Sequence, residues 1–383
     1  MKIALVHKRL DLNGGTERDL FQTAEGLRDR GHEVHLFCSE YGVEAPRGVV
    51  IHRVSVLPLG RTARLWSFAW FAPRMIERAG CEVVVSFGRL LRQDILRSGG
   101  GTHRGFLERL GQEGGARRRF WQRISIYHRS LLALERRQYR ESGAAKIIAV
   151  SEEVKRDIVA HYSVPAEKIV VIYNGVDQNR FHPARRAEVR CSMREHWKIP
   201  LDAPLVLFVG SGFRRKGLDR VISIWQSPKL QQVFLLVVGD DTRIGRYHLW
   251  ANTIAPGRIL FAGRRNDVEN YYAAADVVVL PAVQEAFGNV VIEGLASGLA
   301  VLVSRSVGAA EILHGRLAQG IVNQIEDPKE LEEKLLMLLE RSRDPVWIGE
   351  ARRVAEEYSW TNHFSRFEMV LREACRVPSG DAS

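Results

Sequence analysis

The chain has 383 residues, which is too long for one ordinary hydrophobic core and suits two domains. Hydrophobic residues make up 45% and charged residues 26%, as in soluble globular proteins, and no apolar run has the length of a signal peptide or a membrane span. The four cysteines lie far apart and match no disulfide or zinc spacing, so we expect a protein of the reducing cytoplasm.

The net charge of +11 is concentrated in the first half of the chain. Residues 1–180 contain 30 Lys+Arg and 20 Asp+Glu, which leaves 26 of the 56 cations and 25 of the 45 anions for the rest. The excess of +10 in the first half predicts an anionic partner there, such as nucleic acid, a membrane surface or a negatively charged acceptor.

The chain begins with the alternation of strand and helix that is typical of a doubly wound parallel sheet. A strand over Lys2–Val6 leads through Gly14 and Gly15 into a helix that ends near Arg30, and Gly31–Phe37 is the next strand. The loop lacks the Gly-x-Gly-x-x-Gly pattern, so a dinucleotide site is not favoured, and a plain tight turn remains an alternative. Further strands are predicted over Val49–Val54 and Cys81–Ser86.

Three glycines, Gly99, Gly100 and Gly101, come shortly before His103. Such a run lets the backbone approach a ligand closely, which makes His103 a candidate active-site group. A histidine on its own is more often structural, so both interpretations remain open.

The stretch Ala116–Arg140 is rich in arginine, with apolar residues interleaved at about helical spacing and Glu135 as its only acidic residue. It predicts a basic amphipathic helix. One interpretation is docking on an anionic membrane surface, where each basic residue contributes on the order of 1 kcal/mol. The other is a helix that packs on its own domain and has a solvated arginine face. The residues used in the first interpretation are Arg117, Arg118, Arg119, Trp121 and Arg123.

Turn signals mark the passage to a second domain. Asn174-Gly175 predicts a turn, and Pro183 with the polar residues 184–189 predicts a linker, followed by a helix near Cys191–Trp197. We therefore expect a first domain over residues 1–183 and a second domain over residues 190–358.

The second domain restarts the alternation with a strand over Leu205–Val209, a glycine-rich loop over Gly210–Gly217 and a helix over Leu218–Trp225. Because Arg215 and Lys216 end the loop just before the helix, the loop has the chemistry of a phosphate site. It does not have the Walker pattern. The less favoured interpretation of Lys216 is a solvated surface lysine.

Two carboxylates follow the predicted strand Val277–Pro281. Glu285 is predicted in the loop, and Glu293, eight residues later, on a helix that begins near Gly288 and Asn289. This spacing puts Glu293 roughly 7–8 Å along the helix axis. The helix N-terminus between the carboxylates is an anion site, so the stretch suits a sugar nucleotide, which combines a diphosphate with the hydroxyls of a sugar and a ribose.

The pair Glu285 and Glu293 resembles the Glu-x7-Glu signature of the retaining glycosyltransferases of the GT4 family. The resemblance extends over roughly Met1–Arg376 and includes Gly14-Gly15, Asn174-Gly-Val-Asp177 and Arg215-Lys216-Gly217. It implies an α/β protein of the GT-B fold, with two Rossmann-like doubly wound domains that face a cleft. It also implies a last helix, over residues 361–376, that crosses back onto the first domain.

In that family the first glutamate contacts the donor sugar and the second contacts the ribose, so the resemblance implies these roles for Glu285 and Glu293. It implies that Lys216 contacts the donor diphosphate and stabilises the leaving group. The common family pattern has an arginine where this chain has Ser211, and Arg180 is expected to supply the second cation. The expected catalytic residues are Glu285, Lys216, Arg180 and His103. The expected donor-binding residues are Gly14, Gly15, Ser211, Arg215, Gly263, Arg264, Phe287, Gly288, Asn289, Val290 and Glu293.

Within GT4, the motifs Gly-Ser-x-Phe-x-Arg-Lys-Gly at 210–217 and Gly-Arg-x-Asn-Asp-Val at 263–268 resemble the bacterial lipopolysaccharide core glucosyltransferases. Those enzymes often have an acidic residue where Gly100 aligns, which leaves the group nearest the acceptor open. The resemblance implies transfer of a hexose, glucose from UDP-glucose, onto an anionic lipid-linked acceptor in the heptose region of the core. It implies an enzyme on the inner face of the plasma membrane, with no cofactor, no metal at Asp240-Asp241 and no nucleic-acid partner.

Several alternatives stay open. The donor could be UDP-galactose, UDP-N-acetylglucosamine or GDP-mannose, used on a different glycan. The fold would also suit a UDP-sugar epimerase, and the charge would suit a nucleic-acid-binding protein or a non-catalytic peripheral membrane protein. Binding that falls steeply with salt and ignores UDP would favour nucleic acid.

Overall fold

The computed structural model describes residues 1–11, 15–108, 125–141 and 144–376. The chain forms two compact units, Met1–Tyr173 with the chain from His363 onward, and Asn174–Asn362. The first boundary therefore lies ten residues before the end of the predicted first domain at residue 183.

The first unit contains a seven-stranded sheet in the order β5-β3-β1-β6-β7-β8-β9, in which all neighbouring strands pair in parallel. Besides the helices named below, residues 103–108 form a short helical segment. The short strands β2 and β4 pair separately. The strands are β1 Lys2–Val6, β2 Arg9–Leu10, β3 Glu33–Cys38, β4 Glu40–Tyr41, β5 Val50–Arg53, β6 Val83–Ser86, β7 Ile95–Ser98, β8 Lys146–Ala149 and β9 Ile169–Val171. The helices are α1 Gly15–Asp29, α2 Gly60–Ala79, α3 Ile126–Arg136 and α4 Glu152–Tyr162.

Helices cover both faces of this sheet, so alternate residues of β1 enter different cores. Ile3 and Leu5 pack with the buried side of α1 and with Phe367 of the last helix. Ala4 and Val6 pack on the other face with buried residues of α2. Strands that are covered on both faces are continuously apolar, which is why β1 was recognisable in the sequence.

The second unit has a six-stranded parallel sheet in the order β12-β11-β10-β13-β14-β15. Strand order reverses between β10 and β13, and ligands of doubly wound sheets bind beyond the carboxyl ends of the strands at such a point. The strands are β10 Leu205–Val209, β11 Phe234–Val238, β12 Ile259–Gly263, β13 Val277–Leu280, β14 Ala300–Ser304 and β15 Ile321–Val322. The helices are α5 Arg185–His196, α6 Leu218–Ile224, α7 Ile244–Ile254, α8 Val268–Ala274, α9 Asn289–Ala296, α10 Pro328–Arg341 and α11 Pro345–Glu357.

The predicted linker over residues 184–189 is wrong, because α5 already begins at Arg185. Three arginines of this helix, Arg186, Arg190 and Arg194, donate to the carboxylate of Asp276 at 2.9, 2.8 and 2.8 Å. These ion pairs fix the helix to the start of β13, although the helix has little apolar character of its own. A final helix, α12, spans Trp360–Arg376, and its residues from His363 onward belong to the first unit.

None of the helices in the described ranges combines the length and apolar character that a membrane span needs.

Candidate active site

Two loops meet beyond the carboxyl ends of β10 and β13. The backbone N–H of Val283 donates to the carbonyl of Arg215 at 3.1 Å, which joins the loop after β13 to the loop after β10. Gly217 has a φ of 83°, and a Cβ on it would lie 2.0 Å from the carbonyl oxygen of Pro281. Only glycine permits this approach, so the glycine in the Arg-Lys-Gly motif keeps the two loops in contact.

The contact brings two cations to one carboxylate. A guanidinium nitrogen of Arg215 donates to Glu285 Oε2, and Lys216 Nζ lies 3.8 Å from the same oxygen. Arg215 also donates to the carbonyl of Gln284 at 3.3 Å. The side chains of Glu285 and Lys216 are 21% and 13% exposed, so both are ordered by their surroundings and remain accessible from solvent.

Glu285 is held through its backbone as well as its side chain. Its N–H donates to Ser306 at 3.4 Å, and its carbonyl accepts from Gly308 at 3.0 Å. Phe287, which is buried, accepts from Ala309 at 2.7 Å. These bonds give the loop an extended path along residues 306–309, so the position of the carboxylate does not depend on its ion pairs alone.

Helix α9 begins beside this carboxylate, as predicted. Gly288 precedes it with a φ of 94°, which a residue with a side chain would rarely adopt. Asn289 is the first helical residue, and its Oδ1 accepts a hydrogen bond from Asn174 Nδ2 at 2.8 Å. Val290 is buried and orients the first turn, whose backbone N–H groups are those of an anion site.

Glu293 lies on α9, one residue past its middle, and has a partner that the sequence analysis missed. The hydroxyl of Tyr272 donates to Glu293 Oε2 at 2.6 Å. Burial first, and then the Glu293 carboxylate, raise the pKa of Tyr272 far above its usual range, so its hydroxyl keeps its proton and acts as a donor. No local sequence pattern predicts that Tyr272 and Glu293 pair, because Tyr272 looks like an ordinary apolar residue of helix α8.

Three other predicted donor-binding residues lie on neighbouring loops. Ser211 is exposed in the loop after β10. Gly263 ends β12, has a φ of 71° and accepts a hydrogen bond from Gly239 at 2.8 Å. Arg264 follows it on the surface. Gly263 and Arg264 thus lie at the carboxyl end of β12, two strands away from β10, whereas Ser211 lies beyond β10 at the switch point itself.

Arg180 is placed differently from Arg215 and Lys216. Its guanidinium group donates to Glu269 at 2.9 Å and to the carbonyl of Asn266 at 2.7 Å. These contacts tie it to the N-terminal end of α8. Arg215 is the arginine that the structure brings to Glu285, so the role of Arg180 as second cation stays a prediction.

The acidic pair Asp240-Asp241 is used by the protein backbone. Asp241 accepts hydrogen bonds from the N–H groups of Phe213 and Arg243, both at 2.9 Å. Within the described residues, no group of three or more His, Cys, Asp or Glu side chains is placed to hold a metal ion.

Both units match family models of glycosyltransferases. The model described as Glycosyltransferase Family 4 matches residues 13–180, and that described as Glycosyl transferases group 1 matches residues 203–341. The lipopolysaccharide glucosyltransferase WaaG of Escherichia coli (strain K12) is 27% identical over 351 residues, which cover 90% of this chain and 91% of WaaG. This chain therefore contains GT4-type glycosyltransferase domains.

Solved structures support the GT-B fold for this glycosyltransferase. A crystal structure of WaaG, a glycosyltransferase involved in lipopolysaccharide biosynthesis, matches with a TM-score of 0.81 at 23% identity and covers 96% of this chain and 99% of that one. Anabaena Alr3699/HepE in complex with UDP-glucose matches with a TM-score of 0.70 at 18% identity, covering 97% and 99%. Both show the fold.

In the first unit of this glycosyltransferase, His103 belongs to a histidine pair. Its Nε2 lies 3.0 Å from His128 Nδ1, and the two rings stack with centroids 5.2 Å apart. Burial lowers the pKa of His103 to about 4, so the imidazole is neutral at physiological pH. One of its ring nitrogens is therefore a donor and the other an acceptor, and the ring carries no positive charge.

Glu135 fixes the position of His103. Its carboxylate, fully buried, accepts from the N–H groups of His103 and Arg104 at 2.7 and 3.0 Å. It also accepts from the hydroxyl of Tyr162 at 2.6 Å and from the guanidinium group of Arg89. In the sequence, Glu135 is distinguished only as the one acidic residue of a basic stretch, whereas in the structure it anchors the first turn of the helical residues 103–108.

Some predicted residues cannot be placed in this geometry. Gly15 is the first residue of α1, but Gly14 lies outside the described residues. The predicted membrane or acceptor residues also lie outside them: Arg117, Arg118, Arg119, Trp121 and Arg123.

Proposed function

We propose that this glycosyltransferase moves glucose from UDP-glucose, with retention of configuration, onto an anionic lipid-linked acceptor in the heptose region of a lipopolysaccharide core. The observation that carries the proposal is the cluster of Glu285, Arg215 and Lys216 beside the start of α9. It combines a hydroxyl-binding carboxylate, two cations and a helix N-terminus, which is what a sugar diphosphate requires.

In this mechanism Lys216 and the first turn of α9 bind the diphosphate and stabilise the negative charge that develops as the glycosidic bond breaks. Electrostatic stabilisation of this kind is usually the largest contribution to an enzyme's rate. Glu285 accepts hydrogen bonds from hydroxyls of the hexose and orients it. The acceptor hydroxyl attacks the face from which UDP departs, and no enzymic nucleophile is assigned.

The ribose is assigned to Glu293. Tyr272 supports this role because its bond to Oε2, at 2.6 Å, holds the carboxylate of Glu293 in one orientation. Arg180 is assigned to the diphosphate as a second cation, which requires it to exchange Glu269 for the donor. His103, neutral and held by Glu135, is assigned to the reacting sugar or the acceptor hydroxyl.

The choice of donor and acceptor has separate support. WaaG is named a lipopolysaccharide glucosyltransferase, and Alr3699/HepE has been solved with UDP-glucose. The excess of +10 in residues 1–180 suits an anionic acceptor and the inner face of the plasma membrane. Since cationic side chains serve the diphosphate, we propose that transfer needs no metal.

A thermal-shift screen tests the donor site. The ligands are UDP, UDP-glucose, UDP-galactose, UDP-N-acetylglucosamine, GDP-mannose and ADP-heptose, each with and without EDTA. A ligand at 100 times its Kd stabilises the native state by about 2.7 kcal/mol, which gives a visible rise in Tm. We expect shifts with UDP and UDP-glucose that EDTA does not change.

A Lys216→Ala variant is the matched test of the site, with Lys229→Ala as control because Lys229 is a 67% exposed lysine of the same unit. The first should lose most of the UDP shift and the second should keep it. A rise in Tm with a different nucleotide sugar, and none with UDP-glucose, would mean that this other sugar nucleotide is the donor. No shift with any nucleotide would refute the transferase mechanism.

A transfer assay tests the rest of the proposal. Purified heptose-containing core lipid and UDP-glucose should give a product whose new linkage is α, as NMR of the anomeric proton would show. A β linkage would contradict retention, and transfer only to acceptors without lipid or phosphate would contradict the acceptor.

A further inference from the structure

Helix α2 exposes a row of large side chains to solvent. Trp66, Trp70 and Arg74 follow one another at intervals of four residues, so they lie along one line of the helix surface. Trp66 is 38% exposed and Trp70 is 53% exposed. The Arg74 guanidinium group lies 4.1 Å from the centroid of the Trp70 ring and donates to the Trp70 carbonyl at 2.8 Å, which orders the row.

More apolar surface extends this row. Leu59, directly before α2, is 77% exposed, and Phe71 is 38% exposed. The opposite side of the helix, with Phe68 and Ile76, packs into the core of the first unit, and the exposed side chains are not part of that core. Contiguous exposed apolar surface marks an interaction site on a soluble protein. We define the α2 face as Leu59, Arg64, Trp66, Trp70, Phe71 and Arg74.

The charge of this surface indicates its partner. Residues 57–80 contain four arginines and one glutamate, a net charge of +3. The glutamate, Glu77, lies 3.3 Å from Arg92 and is thereby paired. Arg64 remains 54% exposed although Glu40 lies 3.5 Å away. Tryptophan beside arginine, together with exposed leucine and phenylalanine, is the composition of surfaces that enter the headgroup layer of an anionic bilayer.

We propose that the α2 face docks the protein on an anionic phospholipid bilayer. The choice of a bilayer as partner rests on the lipid-linked acceptor of the proposed function. Trp66, Trp70, Phe71 and Leu59 would enter the headgroup region, and the arginines would bind lipid phosphates. This surface is distinct from the basic stretch Ala116–Arg140, for which docking on a membrane was one of two interpretations of the sequence.

The start of helix α2 contacts the middle of the basic stretch Ala116–Arg140. The Arg61 guanidinium group lies 4.2 Å from the centroid of the Tyr127 ring, which places the start of α2 against the start of α3. Ile126, beside that contact, is 71% exposed. The apolar part of the membrane surface is thus expected on α2, where tryptophan and leucine are exposed, rather than on residues 117–123 alone.

Vesicle binding by the full-length protein tests this proposal. The probes are vesicles of phosphatidylcholine alone and of phosphatidylcholine with phosphatidylglycerol, some with brominated acyl chains that quench nearby tryptophan. The test variant is Trp66→Gln with Trp70→Gln. The control is Leu249→Gln with Met369→Gln, which removes apolar side chains that are 73% and 63% exposed elsewhere. Leu59→Gln is a milder second variant, should the double variant fold poorly.

We expect binding of the native protein to anionic vesicles with bromine quenching, and a drop of about tenfold or more in the Trp66/Trp70 variant. Bromine quenching should disappear in the Trp66/Trp70 variant, while the Leu249/Met369 control variant should bind vesicles like the native protein. Arg64→Gln with Arg74→Gln should weaken binding to anionic vesicles only. Unchanged binding in the tryptophan variant, or loss only when Arg117, Arg118 and Arg119 become Gln, would overturn the proposal.

The result is independent of donor binding. If the tryptophan variant keeps its UDP shift but loses vesicles, the α2 face is a docking surface. If the native protein binds vesicles through α2 but shows no UDP shift, the proposed function fails and the docking surface stands. Salt-sensitive binding of a single-stranded oligonucleotide through Trp66 and Trp70, without vesicle binding, would identify a different partner and refute docking on a bilayer.

Discussion

The two ends of the strand pair β10 and β13 carry carboxylates in contrasting surroundings. At the start of β13, Asp276 is 1% exposed and accepts hydrogen bonds from Arg186, Arg190 and Arg194 and from the N–H of Leu205 at 2.9 Å. Because Leu205 begins β10, Asp276 joins the starts of both strands. Its oxygens are fully used by the protein.

The carboxylate at the other end is accessible. Glu285 lies beyond the carboxyl end of β13, and its cations Arg215 and Lys216 come from the loop beyond β10. Its side chain is 21% exposed, and that of Arg215 is 48% exposed. An incoming diphosphate can reach these cations. Around Asp276, by contrast, Arg194 is fully buried, and Arg186 and Arg190, whose side chains are 22% and 17% exposed, donate to a carboxylate that is itself only 2% exposed.

A cluster of cations around a carboxylate is therefore not enough to identify a functional site. Arg194 bonds to Asp276 and also donates to the carbonyls of Ala274, Pro200, Leu201 and Ala203, so it acts as a brace between chain segments. Accessibility and position at the carboxyl end of the strands distinguish a ligand site from such a brace.

Asp276→Asn should give the largest loss of stability. Removing one partner of a buried ion-pair network leaves buried charges uncompensated and costs about 3–5 kcal/mol. Urea unfolding should therefore show a large drop in the free energy of unfolding. The control is Asp202→Asn, at an exposed aspartate of the same unit, which should be close to neutral. A small effect at Asp276 would mean that the arginine cluster is not a structural brace.

Glu285→Gln should have the opposite effect, with a large loss of activity and little loss of stability. Transfer should fall roughly 100- to 1,000-fold, because the hexose loses its orienting carboxylate, by analogy with removal of one transition-state contact. The free energy of unfolding should change by no more than about 1 kcal/mol, since the ion pair is accessible to solvent. The control is Glu326→Gln, which breaks an exposed pair with Arg220. Full transfer by the Glu285 variant would refute the site.

The strand end that carries Glu285 could be predicted, because the signals there are local. The apolar runs that became β10 and β13 are bounded by glycine loops, and Gly288 and Asn289 begin α9 as expected. Parallel strands place their carboxyl ends on one edge of the sheet, which is why the two loops meet there. What local patterns could not provide was the pairing of particular side chains, such as Tyr272 with Glu293.

The brace could not be predicted, because its partners are distant in the chain. Helix α5 is rich in arginine and lacks a continuous apolar face, and its anchor Asp276 is 82 to 90 residues away in sequence. Its residues 185–189 were therefore expected to form a linker. The same limitation hid the buried pair of Arg97 on β7 with Asp19 on α1, at 2.9 Å.

Helix α2 escaped prediction for a different reason. Its apolar residues lie on both sides of the helix, since Phe68 and Ile76 are buried while Trp66 and Trp70 are exposed. Helical periodicity is recognised by the contrast between an apolar and a polar face, and this contrast is weak when one face serves an interaction. The exposed tryptophans of the α2 face thus made the helical periodicity of α2 harder to recognise in the sequence.

The contribution of Asp276 to stability depends on pH. Burial alone would raise the pKa of Asp276, but the three arginines and the Leu205 N–H lower it overall, below its ordinary 3.8. Its contribution to stability is therefore complete above pH 3.8 and is lost as the pH falls through the lowered value. The difference in unfolding free energy between native protein and Asp276→Asn should be constant from neutral pH to about 4 and narrow below. A constant difference at all pH values would exclude titration of this carboxylate.

Tyr272→Phe should give the smallest effect, and it tests whether accessible carboxylates depend on buried partners. Loss of one hydroxyl leaves Glu293 without its bond at Oε2, so we expect UDP affinity to fall about three- to tenfold, the equivalent of roughly 1 kcal/mol for one hydrogen bond, with kcat nearly unchanged. Calorimetric titration with UDP measures this directly. The control is Tyr162→Phe, which removes the same kind of bond to Glu135 in the first unit and should leave UDP affinity intact. If both variants bind UDP like the native protein, either Glu293 holds its position without Tyr272 or Glu293 does not contact the ribose. Titration of Glu293→Gln with UDP separates these two cases. Lost affinity would mean that Glu293 contacts the ribose without help from Tyr272, and unchanged affinity would mean that it does not contact the ribose.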